Sequence, residues 1–135
     1  MAQPTTERFT RTPFTLLAYF LLAYFAYLMA VLGPTIPYLR DELHLNYTEA
    51  GNHFTGFAAG MVLTGLLGDR FIRRWGRQTA FWVGGGGMAL GGCLFIAGQT
   101  SIATVGGAFL MGLIGSLLLL TIQAGLSDLH GARRG

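Results

Sequence analysis

The order of apolar and polar positions divides the chain into four oily runs separated by short polar stretches. Residues 13–33 carry no charged side chain, and residues 48–68, 79–98 and 102–125 form three further runs. A membrane-crossing helix needs about 20 apolar residues, so each run predicts one transmembrane helix. The second is the least apolar, because Asn52, His53, Thr55 and Thr64 interrupt it. The first run is too long for a signal peptide, whose apolar core is about 7–15 residues. The expected fold is all-α: a polytopic membrane protein of four helices, with polar tails at 1–12 and 126–135.

The polar stretches refine this picture. Pro34 and Pro37 fall just beyond the first run, but Leu39, Leu43 and Leu45 among Arg40, Asp41 and Glu42 suggest that helix continues into the interface. Asn46 with Glu49 three residues later has the pattern of a capping box at the start of the second helix. Only Gly98–Ser101 separates the third run from the fourth, which predicts a tight antiparallel hairpin. Glycines crowd both of these runs (Gly84 to Gly87, Gly91, Gly92, Gly106, Gly107, Gly112, Gly115). In lipid such small residues let helices approach closely, so the third and fourth helices are expected to pack tightly.

Composition agrees with the membrane reading. Charged residues make up 11% of the chain, against about 25% in soluble domains. Lysine is absent, and every arginine except Arg40 falls on one side of a four-crossing topology: Arg8, Arg11, Arg70, Arg73, Arg74, Arg77, Arg133 and Arg134. By the positive-inside rule that side, with both chain ends, is the cytoplasm, and the plasma membrane is the expected location. No long basic tract with interleaved aromatics points to nucleic acid. Cys93 stands alone, so neither an internal disulfide nor a cysteine-rich metal site is expected. No nucleophile triad, phosphate loop or carboxylate pair argues for an enzyme, and no cofactor or metal is expected. His53 reads as a hydrogen-bonded structural group rather than a proton carrier.

The stretch from Thr64 to Phe81 concentrates the charge. Asp69 sits at the expected end of the second helix, where the dipole is negative and a carboxylate is unfavourable without a cation nearby. Arg70 and Arg77 are the expected partners, with Asp128 joining from the end of the fourth helix. Arg73 and Arg74 are expected to serve topology alone. Gly65, then Asp69-Arg70, then Gly76-Arg77, resembles the signature loop between helices two and three of the major facilitator superfamily. Four more residues lie between Arg70 and Gly76 than in that loop, and Gln78 takes its last basic position. An ungapped match through Arg73 and Arg74 puts Ile72 at the glycine position instead.

The resemblance extends over most of the chain. "GGAFLMGLIGS" looks like the family's fourth helix, with Ala108 where an arginine is often found. "AYLMAVLG" (26–33) echoes "AFLMGLIG" (108–115), as expected where helices one and four are repeat equivalents. The resemblance implies part of the N-terminal six-helix half of a larger transporter. That protein would move a small-molecule substrate across the lipid bilayer by alternating access, docked against the remaining helices, and the fragment alone would be inactive. It also implies an inner-face latch at Gly65, Asp69, Arg70, Gly76, Arg77 and Asp128, and a substrate cavity near Tyr24, Tyr27 and Gln123. The alternative is a complete small four-helix membrane protein, either a dimeric exporter or a non-transporting scaffold. The familiar small multidrug exporters use a glutamate in helix one, which this chain lacks.

Overall fold

The computed structural model describes residues 13–131, which form four helices in sequence: α1 (Pro13–Leu43), α2 (Tyr47–Trp75), α3 (Arg77–Ala97) and α4 (Ser101–Gly131). The expected tail at 1–12, with Arg8 and Arg11, and the arginines at 133 and 134 lie outside the described residues.

α1 runs through both prolines. Each proline removes one backbone N–H from the helix ladder. Nearby, the Thr35 hydroxyl donates to the Val31 carbonyl at 2.7 Å. Packing does the rest. Leu32, Ile36 and Leu39 recur on one face and bury against Ala50 and Phe57 of α2, Phe95 of α3, and Ala108 and Met111 of α4. The helix stops at His44, which takes a left-handed conformation (φ 52°). The Leu45 N–H then reaches back to the Arg40 carbonyl at 2.9 Å, closing a Schellman-type end. A side chain in that conformation costs roughly 1–2 kcal/mol that glycine does not. His44→Gly is therefore expected to stabilise the protein by roughly 1 kcal/mol, readable as a raised melting temperature in detergent.

α2 begins with the capping box: the Glu49 N–H donates to the Asn46 side chain and the Asn46 N–H to the Glu49 carboxylate, both at 2.9 Å. Its far end departs from the sequence expectation. Residues 69–75 are not a loop; α2 continues to Trp75. Nothing between Asp69 and Trp75 breaks a helix, and Asp69 and Arg73 form an i,i+4 pair that supports one. At 1.5 Å per residue α2 is longer than a hydrocarbon core of about 30 Å. The break comes at Gly76, whose φ of 84° suits glycine, and α3 starts at the next residue. α4 likewise extends beyond the expected 102–125, through Asp128 to Gly131.

Three helices are long and apolar enough to cross a membrane: Thr15–Leu43, Arg77–Ala97 and Ser101–Asp128. α2 is of similar length, and it turns His53 and Thr64 inward, where both are buried. The protein is thus a four-helix membrane fold with α4 at its centre. More than half of the apolar stretch of α4 is buried (56%) against 17% for α1. Glycine explains how α4 accommodates two close neighbours. Towards α3, a methyl group on Gly84 would lie 2.7 Å from Leu118, and one on Gly91 2.8 Å from the Met111 backbone nitrogen. Towards α2, Gly60 lies against the backbone of Phe109 and Leu113, and Gly112 against the carbonyl of Phe57. The α3–α4 seam follows from the sequence; the α2–α4 seam was not anticipated from it.

Candidate functional site

The charged face gathers where α2 ends, α3 begins and α4 ends. Asp69 pairs with Arg73 at 2.6 Å along one helix face. This corrects the sequence expectation, which gave Asp69 to Arg70 or Arg77 and left Arg73 to topology. The reason is the longer helix: with α2 intact to Trp75, the residue one turn beyond Asp69 is Arg73. Asp69 also stands more than a turn inside the helix end, where the dipole acts weakly. Arg73 and Arg74 occupy the last turn instead, where cations are favoured.

Arg77 and Asp128 meet in an ion pair across 51 positions of sequence, tying the first residue of α3 to the last turns of α4. Gly76 supplies the bend that turns the chain from α2 into α3. Gly65, one turn before Asp69, has open space where a side chain would stand. Of the six residues expected from the signature loop, Asp69 pairs with Arg73, outside that set, and Arg77 pairs with Asp128, so the charges form two separate ion pairs rather than one cluster around Asp69.

These pairs are exposed: 72% and 70% for Asp69 and Arg73, 62% and 54% for Asp128 and Arg77. Exposed pairs contribute about 0–1 kcal/mol. Asp69→Asn and Arg73→Gln are accordingly expected to lower stability alike, each by less than about 1 kcal/mol. Exchanging the charges as Arg77→Asp with Asp128→Arg should recover more of the parent's melting temperature than either change alone. A double variant no better than the two single ones would show that the pair does not hold α3 to α4.

The expected cavity residues separate. Tyr24 packs half-buried beside the apolar cluster of Ala18, Leu118 and Ile122. It also lines a groove of about 400 Å³ with Phe20, Phe81 and Trp82. Tyr27 and Gln123 are exposed and do not line that groove. His53 is the hydrogen-bonded structural group that its sequence context suggested, but its partner on α4, deeper in the bundle, was missed. His53 is fully buried, with Nε2 2.8 Å from the Thr104 hydroxyl of α4. Its Nδ1 lies 3.1 Å from the carbonyls of Glu49 and Ala50. An Nδ1–H tautomer satisfies the whole set, donating to the carbonyls while Thr104 donates to Nε2. The Thr64 hydroxyl makes a second α2–α4 bond by donating to the Leu113 carbonyl. The spacing of His53 with Thr64 on the buried face of α2 was the available signal.

A family model for the Major Facilitator Superfamily matches residues 15–135. The chain belongs to that superfamily. It is 31% identical over 93 residues to the uncharacterized transporter y4wD of Sinorhizobium fredii (strain NBRC 101917 / NGR234), a match covering 68% of this chain and 25% of that protein. The chain thus spans about a quarter of the length of the curated relative it matches. No solved structure matches it. Membership makes this an integral membrane protein of a transporter family.

Proposed function

We propose that the protein moves a small solute across the plasma membrane by alternating access, α1 to α4 being the first helices of a larger transporter with both ends of this segment cytoplasmic. Family membership supports transport. The observation that carries the larger assembly is unequal burial inside a shared fold. α4 is wrapped by neighbours, whereas α1 leaves Leu16, Tyr19, Phe20, Tyr27 and Met29 exposed. Transporters of this architecture work by rocking one half against the other around a midplane site, and α1 has the bare face such an arrangement covers. Gly65 and Asp69 on the open side of α2 remain the proposed latch towards the other half, with Arg77 and Asp128 bracing α3 and α4 behind it. Tyr24, Tyr27 and Gln123 remain the proposed solute-facing polar groups.

The test is flux in proteoliposomes, measured with a panel of radiolabelled small solutes. Residues 1–135 alone are compared with the same residues extended by whatever follows them in the reading frame. Counterflow by the extended protein and none by 1–135 is the expected result. Equal flux by 1–135 alone would instead establish a self-sufficient exporter, assembled from copies of these four helices.

A further inference from the structure

We propose that the cytoplasmic half of the bundle holds an anionic phospholipid, one acyl chain lying in a groove between α2 and α3 and its phosphate held by Arg70 and Arg74. The groove encloses about 300 Å³ and is lined by Leu63, Leu67 and Phe71 of α2, Val83 of α3, and Ile114 and Leu117 of α4. Thr64 also borders it, but its hydroxyl is committed to the Leu113 carbonyl. The surface offered is therefore apolar and suits hydrocarbon.

Helical spacing supplies the headgroup site. Residues three and four apart share a helix face, so Leu63, Leu67, Arg70 and Arg74 form one stripe. Its first half lines the groove. Its second half rises from the groove's cytoplasmic end, because α2 stays helical to Trp75. Phe71 stacks on Trp75, centroids 6.1 Å apart and planes 17° from parallel, which sets an amphipathic aromatic at the level of the headgroups.

Charge pairing then singles out two arginines of the four. Arg73 is neutralised by Asp69 and Arg77 by Asp128. Arg70 and Arg74 make no ion pair among the described residues, and both are exposed. Two adjacent uncompensated guanidiniums above an apolar groove complement a lipid that joins an anionic phosphate to a hydrocarbon chain. A zwitterionic lipid brings its own cation and fits less well.

Bromolipid quenching tests the site. The chain has two tryptophans, so a Trp82→Phe background leaves Trp75 as the reporter. The protein is reconstituted into vesicles mixing phosphatidylglycerol and phosphatidylcholine, with bromine on the chains of one or the other. Each basic residue near an anionic surface contributes about fivefold in affinity. Trp75 should accordingly show at least about fivefold preference for phosphatidylglycerol. Arg70→Gln with Arg74→Gln should bring the preference towards one, Arg70→Lys with Arg74→Lys should retain most of it, and Arg73→Gln should leave it in place. Equal quenching by both lipids in the parent overturns the proposal. So does an equal loss from Arg73→Gln, which would mean diffuse surface charge. Absence of quenching by either lipid would also overturn it, since another helix would then occupy the groove.

Discussion

Gly112→Ala should unfold the protein more readily than the addition of a methyl group at any other glycine of α4. The new carbon would press on the carbonyl oxygen of Phe57 and stand 2.9 Å from its carbonyl carbon and 3.1 Å from its Cα. All three are backbone atoms, so no rotamer change relieves the clash and α2 must move away as a unit. Overpacking of this kind costs about 1–3 kcal/mol. It exceeds the gain of about 1 kcal/mol that alanine brings to a helix. Separation of the helices would also strain the contacts of Gly60 with Phe109 and Leu113 and the Thr64 bond to Leu113. Two controls lie close by. Gly106 has nothing within 4 Å of an added carbon, so Gly106→Ala should be neutral or stabilising. The atoms nearest to a carbon added on Gly87 all belong to the side chain of Ile114, which yields more easily than backbone, so Gly87→Ala should fall between the two. Helicity followed through unfolding in mixed detergent micelles ranks the three. Superimposable curves for Gly112→Ala and Gly106→Ala would contradict a close α2–α4 crossing.

That crossing marks where sequence reasoning stopped. The glycine runs of α3 and α4 announce a tight hairpin because the two helices are joined by Gly98–Thr100 and have no room to separate. The seam between α2 and α4 rests on Gly60 and Gly112, which are single small residues in helices not adjacent in the chain. Nothing local distinguishes Gly60 from Gly51 or Gly65, yet only Gly60 among these three touches a neighbouring backbone. The pairing becomes visible only when the helices are assembled. Four helices and the capping box at Asn46 are local or compositional, and they could be read directly.

The charged end shows the same division. The proximity of Arg77 to Asp128 follows from topology, since α3 starts and α4 ends on one side. The partner of Asp69 does not, because it depends on whether residues 69–75 are loop or helix. A cluster of arginines reads as loop when hydropathy alone defines the span. Its true state was set by the absence of any breaker before Gly76. Moving the helix end by seven residues changes the partner from Arg77 to Arg73. It also removes the dipole argument for Asp69 as a residue in need of rescue.

The buried histidine is the second place where a large effect is expected. His53 makes three polar contacts and packs edge-on to Phe95, ring centroids 5.8 Å apart. Thr104→Val keeps the shape of the partner and removes its hydroxyl, leaving Nε2 without a donor in a closed space. Leaving one buried group unsatisfied costs about 1–3 kcal/mol. His53→Leu removes the imidazole but strands less. Thr104 can then donate to the carbonyls of Thr100 or Ser101, already 3.2 and 3.0 Å away, and the carbonyls of Glu49 and Ala50 stay within α2. The main loss is packing against Phe95, of the order of 1–2 kcal/mol for a buried large side chain exchanged for a different shape. The double variant should cost less than the two single costs added, because the orphaned nitrogen created by Thr104→Val no longer exists once His53 is leucine. Coupling between touching residues is about 0.5–3 kcal/mol. Unfolding of the four proteins of this cycle in mixed micelles measures it. Costs that add to within about 0.3 kcal/mol would mean that the His53–Thr104 bond contributes nothing to holding α2 on α4, and that the glycine seam and the Thr64 bond to Leu113 join them without it.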